Sequence, residues 1–164
     1  MNKVKKENLF QFPTERMIIP IVNTCFKRID ALGSDKLVSL LANSSSSVAK
    51  QINLYAMMKY NRLVWEFMIN VIGEKYRTQN YSFTNRDLNV FFADLQQQNE
   101  KIAGWSEATI GKIKTVLKKS LVECNYLDSA RDLKLNMIMI APELEAEIRS
   151  LQDTAALPAF NCFR

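Results

Sequence analysis

Five lysines and a threonine supply the most distinctive chemistry of this 164-residue chain, and that chemistry is anion binding. Lysine ammonium groups pair with phosphates, and a threonine hydroxyl can reach a phosphate or a base edge. Between Lys101 and Ser120 the five lysines are opposed by a single acid, Glu107, so this stretch attracts a polyanion such as nucleic acid. The candidate DNA-binding residues here are Lys101, Lys112, Lys114, Thr115, Lys118 and Lys119.

Residue types that carry most catalytic chemistry are missing. The chain has no histidine, which removes the commonest general base and metal ligand. Its three cysteines lack zinc-ligand spacing, and its four glycines form no phosphate-cradling loop. A nuclease that holds magnesium through carboxylates alone stays open as an alternative, although Glu66 has no spaced acidic partner in its apolar stretch. We therefore predict a protein that is not an enzyme and that uses no cofactor or metal.

A predicted helix positions the lysines between Trp105 and Leu127. At about 100° per residue, one narrow side is apolar, and the opposite side carries small, basic and hydroxyl-bearing residues. Ser106 is a good N-cap, and Glu107 places negative charge at the positive end of the helix dipole. Nucleic-acid contact and an ordinary solvated helix face are both compatible with this pattern. The apolar side consists of Ile110, Ile113, Leu117, Leu121 and Cys124, and the opposite side of Ala108, Lys112, Thr115 and Lys119.

Composition predicts a cytoplasmic, soluble globular protein. The net charge of +5 is uneven, because the stretch from Glu123 to Leu151 is acidic. The cysteines are far apart and odd in number, which favours reduced thiols over a disulfide framework. The polar, lysine-rich start does not resemble a signal peptide, and no run approaches the ~18 apolar residues of a membrane span.

Organisation along the chain predicts one helical domain. Residues 1–12 are expected to form a flexible basic arm, residues 13–151 the domain, and residues 152–164 a loosely held tail. Apolar residues on nearly every side from Val48 to Tyr76 predict helices in the middle of a bundle. An early amphipathic helix, ending near Gly33, presents Arg16 and Lys27 as further candidate DNA-binding residues.

The order of elements from Thr84 to Leu127 is that of a helix-turn-helix unit. Thr84 and Asp87 form a predicted capping box for the first helix, and the lysine-bearing helix is the second. The intervening link is longer than the turn of the compact motif. Residues 133–140 alternate enough to form a short strand or an extended arm, which could act as a wing. The predicted fold class is therefore an all-α, single-domain helical bundle with helix-turn-helix-like units.

Several sequence blocks, in order and spacing, resemble the BrxA family of BREX bacteriophage-exclusion systems. The similarity covers about residues 8–150 and rests on order and spacing more than on any catalytic signature. The blocks are N-L-F-Q (Asn8–Gln11), F-K-R-I-D-A-L-G (Phe26–Gly33), the run from Ser46 to Arg77, T-N-R-D-L-N-V-F-F (Thr84–Phe92), G-W-S-E-A-T-I-G-K-I (Gly104–Ile113), N-Y-L (Asn125–Leu127) and A-P-E-L (Ala141–Leu144).

This resemblance implies an all-α protein with two helix-turn-helix-like units beside positive surface. It also implies that the protein binds double-stranded DNA. Members of the family work alongside a methyltransferase, an ATPase and a phosphatase-like protein of the same defence system. The second unit maps onto Thr84 to Leu127, and the first uses Thr14 to Leu32 as its outer helix.

The resulting prediction is a monomeric, non-enzymatic accessory protein that binds double-stranded DNA with weak sequence specificity. The alternative is an adaptor whose helical faces assemble other phage-defence subunits without contacting DNA. RNA stays open as a third partner, because a basic helix does not reveal which duplex it prefers. No membrane partner is expected.

Overall fold

The computed structural model describes the backbone of residues 15–163 and the side chains from Ile18 onward. Within that range no residue belongs to a named strand, and the single β-bridge, Ser82 with Lys134, is isolated. The predicted all-α fold class is therefore confirmed. The helices are α1 (Glu15–Ala31), α2 (Asp35–Asn43), α3 (Ser46–Tyr60), α4 (Arg62–Phe67), α5 (Glu74–Arg77), α6 (Asn85–Gln98), α7 (Glu100–Ala103), α8 (Glu107–Glu123) and α9 (Pro142–Ser150). A π-helical segment (Met68–Gly73) joins α4 to α5, and a 3-10 helix (Thr154–Phe160) follows α9.

Helix α3 and the helix formed by α4, the π-helical segment and α5 occupy the middle of the bundle. Ile52 and Tyr55 on α3, and Phe67 and Ile72 on the second helix, are fully or almost fully buried. This confirms the interpretation of the apolar stretch as a bundle centre. The break between the two helices falls at Asn61, whose Oδ1 accepts hydrogen bonds from the first amides of α4.

The π-helical segment lies where the 3-10 helix crosses the central helix. Gly73, its last residue, is buried, and a Cβ atom there would stand 3.0 Å from Cβ of Pro158. Such a distance is shorter than ordinary van der Waals contact, so glycine lets the two backbones approach without a shift of Pro158.

Helix α6 begins at the capping box that the sequence predicts. The Thr84 amide donates to Asp87 Oδ2 at 2.6 Å, and Asp87 Oδ1 pairs with the Lys75 ammonium at 2.7 Å. Lys75 is almost completely buried and also donates to the Ser82 carbonyl at 2.5 Å. Burial alone would raise the pKa of Asp87, but Lys75 and the donors of Thr84 together hold that pKa below its usual value. This ion pair fastens the start of α6 to the end of the central helix.

The segment 133–140 is extended without forming a strand, which agrees with the extended-arm alternative. Its start pairs with residues 81–83, since the Phe83 amide donates to the Leu133 carbonyl at 2.9 Å and the Leu135 amide to the Tyr81 carbonyl at 2.7 Å. Farther along, side chains supply the hydrogen bonds: the Tyr76 hydroxyl donates to the Asn136 carbonyl at 2.6 Å, and the Gln51 side-chain nitrogen to the Met139 carbonyl at 3.0 Å. Gln51 also accepts from the Ala141 amide at 2.8 Å. The segment is thus fixed to α3 and α5 through buried polar groups.

The prediction of a loosely held tail is wrong for residues 154–160. They form the 3-10 helix, and Phe160 at its end is completely buried. The Tyr126 hydroxyl, also completely buried, donates to the Ala159 carbonyl at 2.9 Å. Apolar contact and this buried hydrogen bond hold the segment in the same core as the helices.

Candidate nucleic-acid interface

Helix α8 has the cap and the buried stripe that its sequence predicts. Ser106 Oγ accepts a hydrogen bond from the Thr109 amide at 3.2 Å, which satisfies one of the free amides at the helix start. Ile110, Leu117 and Leu121 are buried, and Ile113 is half-buried beside them. The stripe therefore fixes which side of α8 faces solvent.

The opposite side of α8, which we call the outer face, exposes Lys112, Thr115 and Lys119. Lys119 lies 3.7 Å from Glu123, and both side chains are mostly exposed, so this contact contributes little and leaves the ammonium accessible. The Thr115 hydroxyl donates to the Gly111 carbonyl at 3.0 Å. In this rotamer it can accept but not donate a hydrogen bond, so contact with a phosphate requires a change of rotamer.

Lys114 and Lys118 do not belong to the outer face, because both reach across to α6. Lys114 Nζ donates to Asn89 Oδ1 at 2.7 Å, and Lys118 Nζ donates to Asn85 Oδ1 at 2.7 Å. The Lys114 ammonium also lies 5.5 Å from the centroid of the buried Phe92 ring, within the range of a cation–π contact. Both lysines are half-buried, whereas both asparagines are exposed. The structure therefore divides the predicted lysines into two groups.

Lys101 lies on α7, a short helix within the link between α6 and α8. Asn99 caps this helix, since its Oδ1 accepts from the Lys101 amide at 3.0 Å. The Lys101 side chain is exposed. Only Gly104, Trp105 and Ser106 separate α7 from α8, so the link that looks long in the sequence contains a helical turn and a short connection.

The two remaining candidates come from α1. Lys27 is exposed on a helix that packs against α3, away from α8 in the chain. Arg16 lies on the first turn of α1, but its side chain is outside the described residues. The structure thus brings together the candidates of α7 and α8 along one part of the chain and leaves those of α1 on a separate helix.

Three residues of this region were not among the candidates from the sequence: Lys75, Asn85 and Asn89. Asn85 and Asn89 are four residues apart on α6, a spacing that places both on one side of the helix. That spacing was visible in the sequence, but which side of α6 meets α8 is decided by tertiary packing. The role of Lys75 could not be predicted, because the residues around it in the sequence do not indicate that this lysine, at the end of an apolar helix, is buried against Asp87.

The described part of the chain also bears on two other features, metal sites and membrane-spanning helices. No group of three or more histidine, cysteine, aspartate or glutamate side chains there is arranged to hold a metal ion. No helix among the same residues is long and apolar enough to cross a membrane.

Comparison with known proteins agrees with the resemblance seen in the sequence. The family model of BrxA matches residues 1–152. The chain is similar to a BREX protein BrxA of Bacillus cereus (strain H3081.97), with 33% identity over 152 residues, which cover 92% of this chain and 76% of the relative. It is also similar to a BREX protein BrxA of Escherichia coli O9:H4 (strain HS), with 25% identity over 113 residues, which cover 69% of this chain and 53% of that relative.

A solved structure shows the same fold at low sequence identity. The crystal structure of an uncharacterized protein from Magnetospirillum magneticum superposes with a TM-score of 0.80 at 16% identity, and the match covers 96% of this chain and 80% of the other. At this identity the likeness concerns the fold alone. The family match over most of the chain and the identity to the Bacillus cereus relative together decide membership: the chain belongs to the BrxA family of BREX phage-defence proteins.

Proposed function

We propose that this protein is a non-enzymatic accessory subunit of a BREX phage-defence system that binds double-stranded DNA with weak sequence specificity. The observation that carries the proposal is the outer face of α8, where Lys112 and Lys119 are exposed beside Thr115 and opposite a stripe packed into the core. A rigid helix that presents lysines on one side suits the phosphates of a duplex.

Weak specificity follows from the kind of cation on α8. The helix contains lysines but no arginine, so its outer face has no planar fork for the paired acceptors of guanine. Lysine contacts with phosphates position a protein on a duplex but carry no direct sequence information. Affinity of this kind falls steeply as salt concentration rises.

The order α6, α7, α8 supports a helix-turn-helix unit over residues 84–127. The connection of three residues from α7 to α8 includes Gly104 and has the length of the turn in that motif. In this proposal α8 is the recognition helix, and Lys101 on α7 contacts the backbone of the duplex beside it. Lys27 and Arg16 on α1 provide a second, separate contact.

Fluorescence anisotropy of a labelled duplex over a salt series tests the proposal. We expect binding at low salt that weakens with a linear dependence of log affinity on log salt concentration. The variant Lys112→Glu/Lys119→Glu should lose at least tenfold in affinity, because it replaces two attractive charges with two repulsive ones. The matched control is Arg131→Glu/Lys134→Glu, which makes the same charge change at exposed positions outside α8. Equal losses in both variants, or no binding by the parent protein at low salt, would contradict the proposal.

The second candidate function is a protein adaptor within the same defence system. It is favoured by the apolar side chains Met137, Met139 and Phe163, which are 73%, 88% and 48% exposed beside a cleft of about 460 Å³. Exposed apolar groups of this kind are typical of protein contacts. Two variants separate the candidates in a pull-down with other BREX proteins. An adaptor keeps its affinity for them in the charge-reversal variant of α8, where Met137 and Met139 are intact, and loses it in Met137→Gln/Met139→Gln.

RNA is tested as the preferred duplex by competition with duplex RNA in the anisotropy assay.

A further inference from the structure

Two lysine–asparagine pairs, arranged as a ladder, join α6 to α8. Lys114 bonds to Asn89 and Lys118 bonds to Asn85, each with 2.7 Å between Nζ and Oδ1. Both lysines and both asparagines are four residues apart on their own helices, and the pairing is antiparallel. The two rungs are therefore about 6 Å apart along the helices. We call these four residues the seam.

The chemistry of the ammonium group fixes how each asparagine amide is oriented. A lysine ammonium has three donors and no acceptor, so the asparagine must turn its carbonyl oxygen towards the lysine. The amide nitrogen then faces away, and within residues 18–163 neither Asn85 Nδ2 nor Asn89 Nδ2 donates to another group. Each ammonium keeps two further N–H groups. Both asparagines are exposed, so the seam offers solvent a row of donors beside two carbonyl oxygens that already accept from the lysines.

The acceptor in each pair is a neutral asparagine, and this determines how much positive charge the lysine keeps. An aspartate would hold each lysine more strongly, since hydrogen bonds between two charged groups are stronger than those to a neutral amide. It would also cancel the positive charge. Asparagine restrains the lysine while its charge stays uncompensated, and the Phe92 ring below Lys114 restrains it further without adding a negative charge. A contact that served only to attach α8 to α6 would gain from neutralisation.

Restrained cations bind an anion at a lower entropic cost than free surface lysines. A mobile lysine side chain loses rotamer freedom when an interface immobilises it, and this loss weakens binding. In the seam, packing against α6 has already limited that freedom for Lys114 and Lys118. The two rungs, about 6 Å apart, are close enough for one strand to contact both, because its phosphates rise ~3.4 Å each along the DNA axis while they also wind around it.

We propose that the seam is a preorganised binding site for consecutive phosphates of one DNA strand, with Asn85 and Asn89 as direct phosphate ligands beside Lys114 and Lys118. The inference rests on the proposed DNA-binding function and adds to it a second contact line, parallel to the outer face of α8. One strand runs along the seam while the outer face of α8 meets the groove beside it. Asn85 and Asn89 thus bind phosphate through their amide nitrogens while their oxygens hold the lysines.

The test is the variant Asn85→Asp/Asn89→Asp, compared with the parent protein by duplex anisotropy over a salt series. These substitutions keep the size of each side chain and its bond to lysine but remove the outward donors and neutralise both cations. We expect a loss of at least tenfold in affinity and a fall of about 1.8 in the log–log salt slope, from two lost phosphate contacts at ~0.9 each. The midpoint of thermal unfolding should stay the same or rise.

The matched control is Asn53→Asp/Asn70→Asp, which adds the same charge at exposed asparagines on α3 and in the π-helical segment. An equal loss in seam and control variants means that only net charge matters and overturns the inference, as does an unchanged affinity of the seam variant. Absence of binding by the parent protein is a different result, because it refutes the proposed function itself. If the aspartate variant unfolds, Asn85→Ala/Asn89→Ala removes the donors without a charge change. It should weaken binding several-fold with little change in salt slope, and unchanged affinity there overturns the inference.

Discussion

The outer face of α8 and the segment from Tyr126 to Cys162 hold their shape in opposite ways. On the outer face the side chains of Lys112, Thr115 and Lys119 are exposed, and the helix keeps its position through the stripe on its other side. The later segment contains α9 and the 3-10 helix but is otherwise irregular, and it is fixed by buried side chains such as Phe160 and by hydrogen bonds from distant residues such as Tyr76 and Gln51.

The two regions also differ in charge. Five lysines and one acid lie between Lys101 and Ser120, whereas six acids and three basic residues lie between Glu123 and Leu151. Substitutions on the outer face of α8 should therefore change binding with little effect on folding. Substitutions in the later segment should change folding first. This difference is a guide for separating functional residues from structural ones in this family member.

The largest expected effect on folding is that of Phe160→Ala. Truncation of a completely buried phenylalanine removes apolar contacts and leaves a cavity, which should lower the free energy of unfolding by about 3–5 kcal/mol. Denaturant unfolding followed by circular dichroism measures this change. Phe163→Ala is the matched control, because that ring is 48% exposed and should cost less than half as much. Equal effects of the two variants would remove the contrast between a packed segment and an exposed end.

An intermediate effect is expected from the carboxylate that anchors α6. The pKa of Asp87 is lower in the folded protein than the value of about 3.9 in an unfolded chain. The stabilisation is therefore fully present above that unfolded value and is lost as pH falls through the lower folded value. Unfolding free energies measured from pH 6 down to pH 2 should show a smaller acid-dependent loss in Asp87→Asn than in the parent protein. Asp94→Asn serves as the control, since Asp94 makes no ion pair among the described residues; the same acid dependence in Asp87→Asn and the parent would contradict this assignment.

The smallest effect on folding should come from Lys112→Gln/Lys119→Gln. Both side chains are exposed, so the free energy of unfolding should change by no more than about 0.5 kcal/mol. The same variant should lower the salt slope of duplex binding by about 1.8, from two lost phosphate contacts. A stability loss of several kcal/mol would show that the outer face has a structural role, and the two regions would then not differ as described.

Local features of the fold could be predicted from the sequence. The cap at Ser106, the capping box of Thr84 and Asp87, and the apolar stripe of α8 depend on residues within one or two turns of each other. These predictions succeeded because capping and helical periodicity are properties of a short stretch of chain.

Features that depend on distant residues could not be predicted in the same way. The positions of Lys114 and Lys118 around their own helix do not indicate that they bond to asparagines 25 and 33 residues earlier in the chain. The tail was mispredicted for a similar reason: its hydrogen-bond donor, Tyr126, lies 33 residues before Ala159, and the 3-10 helix has too few residues to show a clear apolar period. The roles of Lys101, Lys112, Lys119, Lys27 and Arg16 in DNA binding stay predictions.

The π-helical segment before Gly73 also sets how insertions and deletions act on this fold. A π turn contains one more residue than the α-helical turn it replaces. Deletion of one residue between Met68 and Gly73 therefore returns the segment to an ordinary α-helical turn, and the residues that follow keep their orientation. Lys75 would stay beside Asp87, and Tyr76 beside the Asn136 carbonyl. A deletion in the regular α-helix before this segment has no extra residue to remove and would rotate both side chains by about 100°. Relatives that keep these two contacts can therefore lose a residue here more easily than elsewhere in the central helix.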